Sequence, residues 1–209
     1  MAAHHNHVAA QPVIIALAIP AYRQQVHART AYSWAQDSLS AAALGWNPLL
    51  IWADNTGVAR SRNTIVKMAE DGGARLLLMC DSDTFPLAMH GGLDAMWQAM
   101  QDQRAAVVGA AVVTRNGQRM NCEPARPGEI YEGEVGTGYM LIDLFRLRDL
   151  PKPWFVHQDT ADGLGVACGE DIYFCRHAKS HGHSVVVNFA IPMGHADQSI
   201  AASGEYVTQ

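Results

Sequence analysis

The sequence predicts an α/β fold: a mostly parallel central sheet flanked by helices, with a mixed C-terminal half. Two observations carry this expectation for the front of the chain and a third for the back. Continuously apolar runs recur at Val13–Pro20, Pro48–Trp52, Leu76–Cys80 and Ala105–Val113, the pattern of strands buried on both faces. Stretches of helical period separate them, and a β-α-β-α-β-α-β order requires parallel strands joined by crossover helices. Beyond Val113 the pattern breaks into Gly-, Pro- and Asn-punctuated segments before strand character returns, which marks a back half of different construction.

The elements follow in order. Pro20 ends the first strand, and Ala21-Tyr22-Arg23 leads out of it. Gln24–Leu44 carries apolar residues at Val26, Ala31, Trp34, Ala35, Leu39, Ala42 and Ala43, an amphipathic helix that Gly45 stops. The second strand runs into Ala53-Asp54-Asn55-Thr56-Gly57. Val58–Glu70 reads as a helix with Ile65, Val66 and Ala69 inward, and Leu87–Gln103 as another with a stripe of Leu93, Met96, Trp97 and Met100. Arg115–Gly136 is expected to hold a hairpin or loops, and Val135–Asp143 a further strand. Pro151–Gly169 is loop-rich, Glu170–His181 is a helix ending at Gly182, and Ser184–Asn188 a last short strand. A loose leader (1–11), one domain (12–196) and a tail (197–209) are the expected organisation.

The third strand ends in Asp81-Ser82-Asp83. Strand ends of this kind line the ligand crevice of open α/β sheets. In extended chain, residues two apart point the same way, so both carboxylates could converge on one cation. An acidic turn is the competing reading, since Asp and Ser are ordinary turn residues.

Bulk properties narrow the function classes. A hydrophobic content of 49% against 17% charged residues describes a globular chain. No apolar run approaches the ~20 residues of a membrane span, so no membrane association is expected. A net charge of -5 makes no electrostatic case for a nucleic-acid surface. Cys80, Cys122, Cys168 and Cys175 show no paired spacing; reduced thiols in a cytoplasmic protein are the simplest account, with a disulfide left open.

Several motifs, taken in order, resemble family-2-like glycosyltransferases of the GT-A fold, in a small stand-alone form of phage or bacterial type. They are Ile19-Pro20-Ala21-Tyr22, Ala59-Arg60-Ser61-Arg62-Asn63, Asp81-Ser82-Asp83, Gly136-Thr137-Gly138-Tyr139, Gly169-Glu170-Asp171-Ile172 and Gly194-His195. The resemblance implies a nucleoside-diphosphate sugar as donor, Mn²⁺ or Mg²⁺ as cofactor, and transfer to an acceptor hydroxyl with inversion. It implies Asp83 as a metal ligand, Asp81 as ligand and ribose contact, and His195 as a third ligand; a surface histidine is the other reading of His195. A base contact at Asp54 and a nucleotide slot at Pro20, Ala21 and Tyr22 are implied as well. So are Asp171 as the base, with Glu170 beside it contacting acceptor or sugar. Arg60, Arg62 and Asn63 at a helix N-terminus would suit phosphate. Gly138 and its neighbours would let backbone approach a sugar closely. Ala53-Asp54-Asn55-Thr56 departs from the family's Asp-Asp-Gly-Ser form, which leaves the base open.

Other segments have less to offer. Trp154, Phe155 and His157 are candidates for an acceptor platform or lid, although packing under a loop is preferred for them. His177, His181 and His183 surround a helix end and read as solvent-facing. The competing functions are a nucleotidyltransferase, which would want a Gly-rich basic loop after the first strand, and a non-catalytic nucleotide-sugar-binding module. The acceptor, whether glycan, protein or modified nucleic acid, and the oligomeric state are not legible.

Overall fold

The computed structural model describes residues 12–21, 24–53, 57–87, 92–112, 122–123 and 128–196. The expected leader and tail, Tyr22 and Asp54 lie outside the described residues. Elements in chain order are β1 (Ile14–Pro20), α1 (Ala28–Ala43), β2 (Asn47–Ala53), α2 (Val58–Asp71), β3 (Leu76–Cys80), β4 (Thr84–Pro86) and α3 (Leu93–Asp102). There follow β5 (Val107–Val112), β6 (Cys122–Glu123), β7 (Ile130–Glu132), β8 (Glu134–Val135) and β9 (Tyr139–Asp143). The last are β10 (Gln158–Asp159), β11 (Val166–Cys168), α4 (Glu170–Ser180) and β12 (Val185–His195).

The central sheet has eight strands among the described residues, in the order β2-β1-β3-β9-β5-β12-β4, with β7 also on β12. The β1–β2, β1–β3 and β5–β12 pairings are parallel. β9 enters antiparallel between β3 and β5, and β4 and β7 lie antiparallel to β12. This is the mostly parallel α/β architecture expected, and the antiparallel insertion is its mixed back half. β1, β3, β5 and β9 are apolar on both faces because a layer of side chains covers each: Ile65, Val66 and Phe174 on one, Leu93, Met96 and Met100 on the other.

Three expectations are corrected. The buried face of α1 is Thr30, Ser33, Asp37 and Ala41, whereas Leu39 and Val26 are exposed. Two groups of this polar stripe find partners: Thr30 Oγ1 donates to Thr84 O at 2.8 Å, and Asp37 accepts from Leu93 N and Tyr139, while Ser33 Oγ is buried without a protein partner. The helix expected to begin at Leu87 begins at Leu93, after the short strand β4. The last strand runs from Val185 to His195, well past Asn188. Pro192 and Gly194 mask it in the sequence, yet Met193, Gly194 and His195 pair with Pro86, Phe85 and Thr84. Trp154 and Phe155 are core residues packed on Phe174, the first stacked and the second tilted, the packing role preferred for them.

Candidate active site

The carboxyl ends of β1, β2 and β3 lie side by side because the three strands are adjacent and parallel. Beyond β1 and β2, a cleft of about 340 Å³ is lined by Ile19, Ala21, Gln24, Val26, Trp34 and Trp52. Pro20 pairs with Ala53 at the strand ends, and Ala21 N donates to Ala53 O at 3.0 Å. Of the residues expected to form a nucleotide slot, Ala21 lines this cleft and Pro20 does not, while Tyr22 and Asp54 lie outside the described residues.

Beyond β3 the chain does not stay extended. Thr84 N donates to Asp81 O at 3.2 Å, closing a turn over Asp81–Thr84. The two-residue alternation of a strand therefore stops at Cys80, and the two carboxylates diverge. Asp81 Oδ1 lies 2.8 Å from Arg62 Nη2, while Asp83 Oδ2 lies 3.3 Å from His195 Nε2. The β4–β12 pairing delivers His195 opposite Thr84, and Ala196 N donates to Asp83 O at 2.6 Å. Gly138 stabilises the turn from the other side: its carbonyl accepts from Asp81 N at 3.1 Å and from Thr84 Oγ1. A Cβ on Gly138 would stand 2.9 Å from Val112 Cγ2, so this glycine is required by packing. Thr137 Oγ1 beside it is buried without a protein partner.

On the other flank, α2 organises the site. Arg62 is only 4% exposed, and its guanidinium bridges Asp81 through Nη2 and Glu170 through Nη1. Of the three residues expected to suit phosphate, Arg60 is exposed, while Arg62 is buried between two carboxylates. Asn63 is taken up by protein backbone. Its Oδ1 accepts from Trp154 N and Phe155 N at 3.0 and 3.1 Å, and its amide donates to Ala59 O and Phe155 O. Glu170 opens α4 and is buried, its second oxygen 3.2 Å from His157 Nε2. Asp171 is half-buried, and its Oδ1 accepts from Ile172 N at 2.8 Å. His157, which the sequence left as a platform, lid or packing candidate, meets Glu170 instead of packing under the loop. The signal was weak, because its partner Glu170 lies across a hairpin in the fold.

Below the turn, burial raises the pKa of Asp37 from 3.8 to about 7, against hydrogen bonds from Tyr139 and Leu93. The Tyr139 hydroxyl is itself pushed well up, first by burial and then by the nearby Asp37 charge. Burial likewise raises the Cys80 thiol and takes Cys175 up to about 12. With Cys168 these are buried free thiols. Their burial suits packing, not nucleophilic chemistry.

A hard divalent cation prefers carboxylate and phosphate oxygens. Asp83 and His195 supply a carboxylate and an imidazole, and Asp81 has one carboxylate oxygen beyond that held by Arg62. No group of three or more His, Cys, Asp or Glu side chains poised to hold a metal occurs among the described residues. Mg²⁺ and Mn²⁺ commonly take few protein ligands and complete their shells with substrate phosphate and water. Asp83 and His195 fit such a partial site, whereas Asp81, expected as a further ligand, is turned to Arg62. No helix among the described residues is long and apolar enough to cross a membrane.

No protein-family model and no curated protein matches the chain. Solved structures do. The chain is similar to A197 from STIV with a TM-score of 0.59 at 17% identity, over 89% of this chain and 86% of that one. It is similar to GalNAc-T7, crystallised with UDP, GalNAc and Mn²⁺, with a TM-score of 0.50 at 10% identity over 88% of this chain. It spans 44% of that longer protein. A mutant Drosophila β1,4-galactosyltransferase 7, in complex with manganese, UDP-Gal and xylobiose, matches with a TM-score of 0.51 at 12% identity, over 94% of this chain and 75% of that one. These likenesses rest on the backbone, and what they establish is that the chain has a GT-A-like fold.

Proposed function

We propose that this protein is a glycosyltransferase that moves a sugar from a nucleoside-diphosphate donor to an acceptor hydroxyl with inversion, the residues 12–196 forming its catalytic unit. One observation carries the reading: the Asp83–His195 pair stands at the carboxyl end of β3, in the same row of strand ends as the aromatic cleft beyond β1 and β2. That row suits a nucleotide in the cleft with its diphosphate towards the acidic turn. The crystallised neighbours that hold UDP and manganese on the same fold support it.

Asp83 and His195 would hold Mn²⁺ or Mg²⁺, and Asp81, turned towards Arg62, would meet the ribose. When bound, the cation neutralises charge on the diphosphate leaving group. The exposed Arg60 is the basic side chain of this helix start left to meet phosphate. Asp171, half-buried at the start of α4, accepts the acceptor's proton, and Glu170 beside it is held as a fixed carboxylate by Arg62. A single carboxylate near the reacting carbon suffices for such a displacement.

The test is a thermal-shift screen against nucleoside diphosphates and their sugars, with and without Mn²⁺, followed by assay of diphosphate release. A Mn²⁺-dependent shift with slow release supports a transferase. Tight binding without release would make the protein a binding module, and no response to any nucleotide would end the reading.

A further inference from the structure

Arg62 and Asn63 are consecutive residues of α2, yet they hold the two ends of one excursion of the chain. Asn63 grips the backbone of Trp154 and Phe155, where the excursion leaves the core. Arg62 grips Glu170, where it returns. Between them lies the β10–β11 hairpin, with Leu164 at its tip 89% exposed and His157 at its base reaching back to Glu170. The same guanidinium also holds Asp81 on the donor side. The buried Arg62 is shared by two carboxylates, the other oxygen of Glu170 meets His157, and Arg62 Nε has no protein partner. Any ligand that draws Asp81 towards itself leaves Glu170 as the remaining carboxylate partner of Arg62, a buried contact that is costly to break.

We infer that Arg62 is a positioning residue that couples donor binding at Asp81 to the placement of Glu170, His157 and the β10–β11 hairpin, the surface on which the acceptor is received. The inference rests on the transferase reading. The planar fork of arginine matters here, because a lysine offers one point charge and cannot bridge both carboxylates in this geometry.

The experiment is amide hydrogen exchange across 154–172 with and without UDP and Mn²⁺, GDP replacing UDP if only GDP shifts the melting temperature. In the parent, nucleotide is expected to slow exchange in this segment by about fivefold or more, the lower end of usual coupling between sites. In Arg62→Lys and in Glu170→Gln, nucleotide still binds but the slowing is lost. A purely structural ion pair would lower the melting temperature and leave the response to nucleotide intact; that result overturns the inference. So does a parent that binds nucleotide with no change in the hairpin. If Arg62→Lys fails to fold or to bind nucleotide, Glu170→Gln, which leaves α2 unaltered, decides. A parent that binds no nucleoside diphosphate removes the transferase reading and this inference with it, a result read before any variant is made.

Discussion

His195 Nε2 lies 3.3 Å from Asp83 Oδ2, joined across the sheet by three residue pairs of β12 and β4. The strand pairing places a carboxylate beside an imidazole, the two side chains proposed to hold the cation. Asp83→Ala and His195→Ala are each expected to weaken Mn²⁺ activation of diphosphate release, by a factor of about 10–100 or more. Titrating activity against Mn²⁺ checks this. An unchanged activation midpoint in both variants would remove the pair from the metal site.

Asp171→Asn is expected to lower sugar transfer by about 10²–10⁴, the usual worth of a general base. Nucleotide affinity should persist, because the Asp171 hydrogen bond runs to its own helix backbone at Ile172. Comparing turnover with nucleotide binding in the same variant separates the two effects. Retained turnover would move the base to another group.

Asp37 imposes a pH dependence on stability. Its carboxyl titrates near 3.8 in an ordinary setting and at about 7 when folded, because burial disfavours the charge. The folded state thus keeps a proton that the unfolded state loses between these values. Stability from this group is complete below about pH 4, falls as pH rises to about 7, and stays low above it. The roughly three-unit shift corresponds to about 4 kcal/mol. Asp37→Asn should flatten that fall, so urea midpoints at pH 5 and pH 8 should converge in the variant. A slope as steep as the parent's would show that another group causes it.

Asn63→Ala would leave the amides of Trp154 and Phe155 without their acceptor in a part-buried setting. A buried donor left unpaired costs about 1–3 kcal/mol, so a loss of about 2–4 kcal/mol is expected by urea denaturation. Asn63→Asp keeps the accepting oxygen and should recover part of the loss. Equal loss in both would place the contribution in the donated bonds to Ala59 and Phe155.

Composition and periodicity by themselves determined the α/β class, the first three strands and the face of α2 that carries Ile65, Val66 and Ala69. Those features come from local burial, which writes a period into the chain. Resemblance in motif order pointed to the residues at the strand ends. What only the tertiary structure decided was which group meets which. The turn closed by Thr84 N on Asp81 O sends the two carboxylates apart, and a strand hidden behind Pro192 and Gly194 brings His195 to Asp83. Arg62, expected at a helix start facing phosphate, is buried between Asp81 and Glu170, partners 19 and 108 residues away. Such pairings leave no period in a sequence, because they depend on how the sheet orders its strands and not on the neighbours of each residue along the chain.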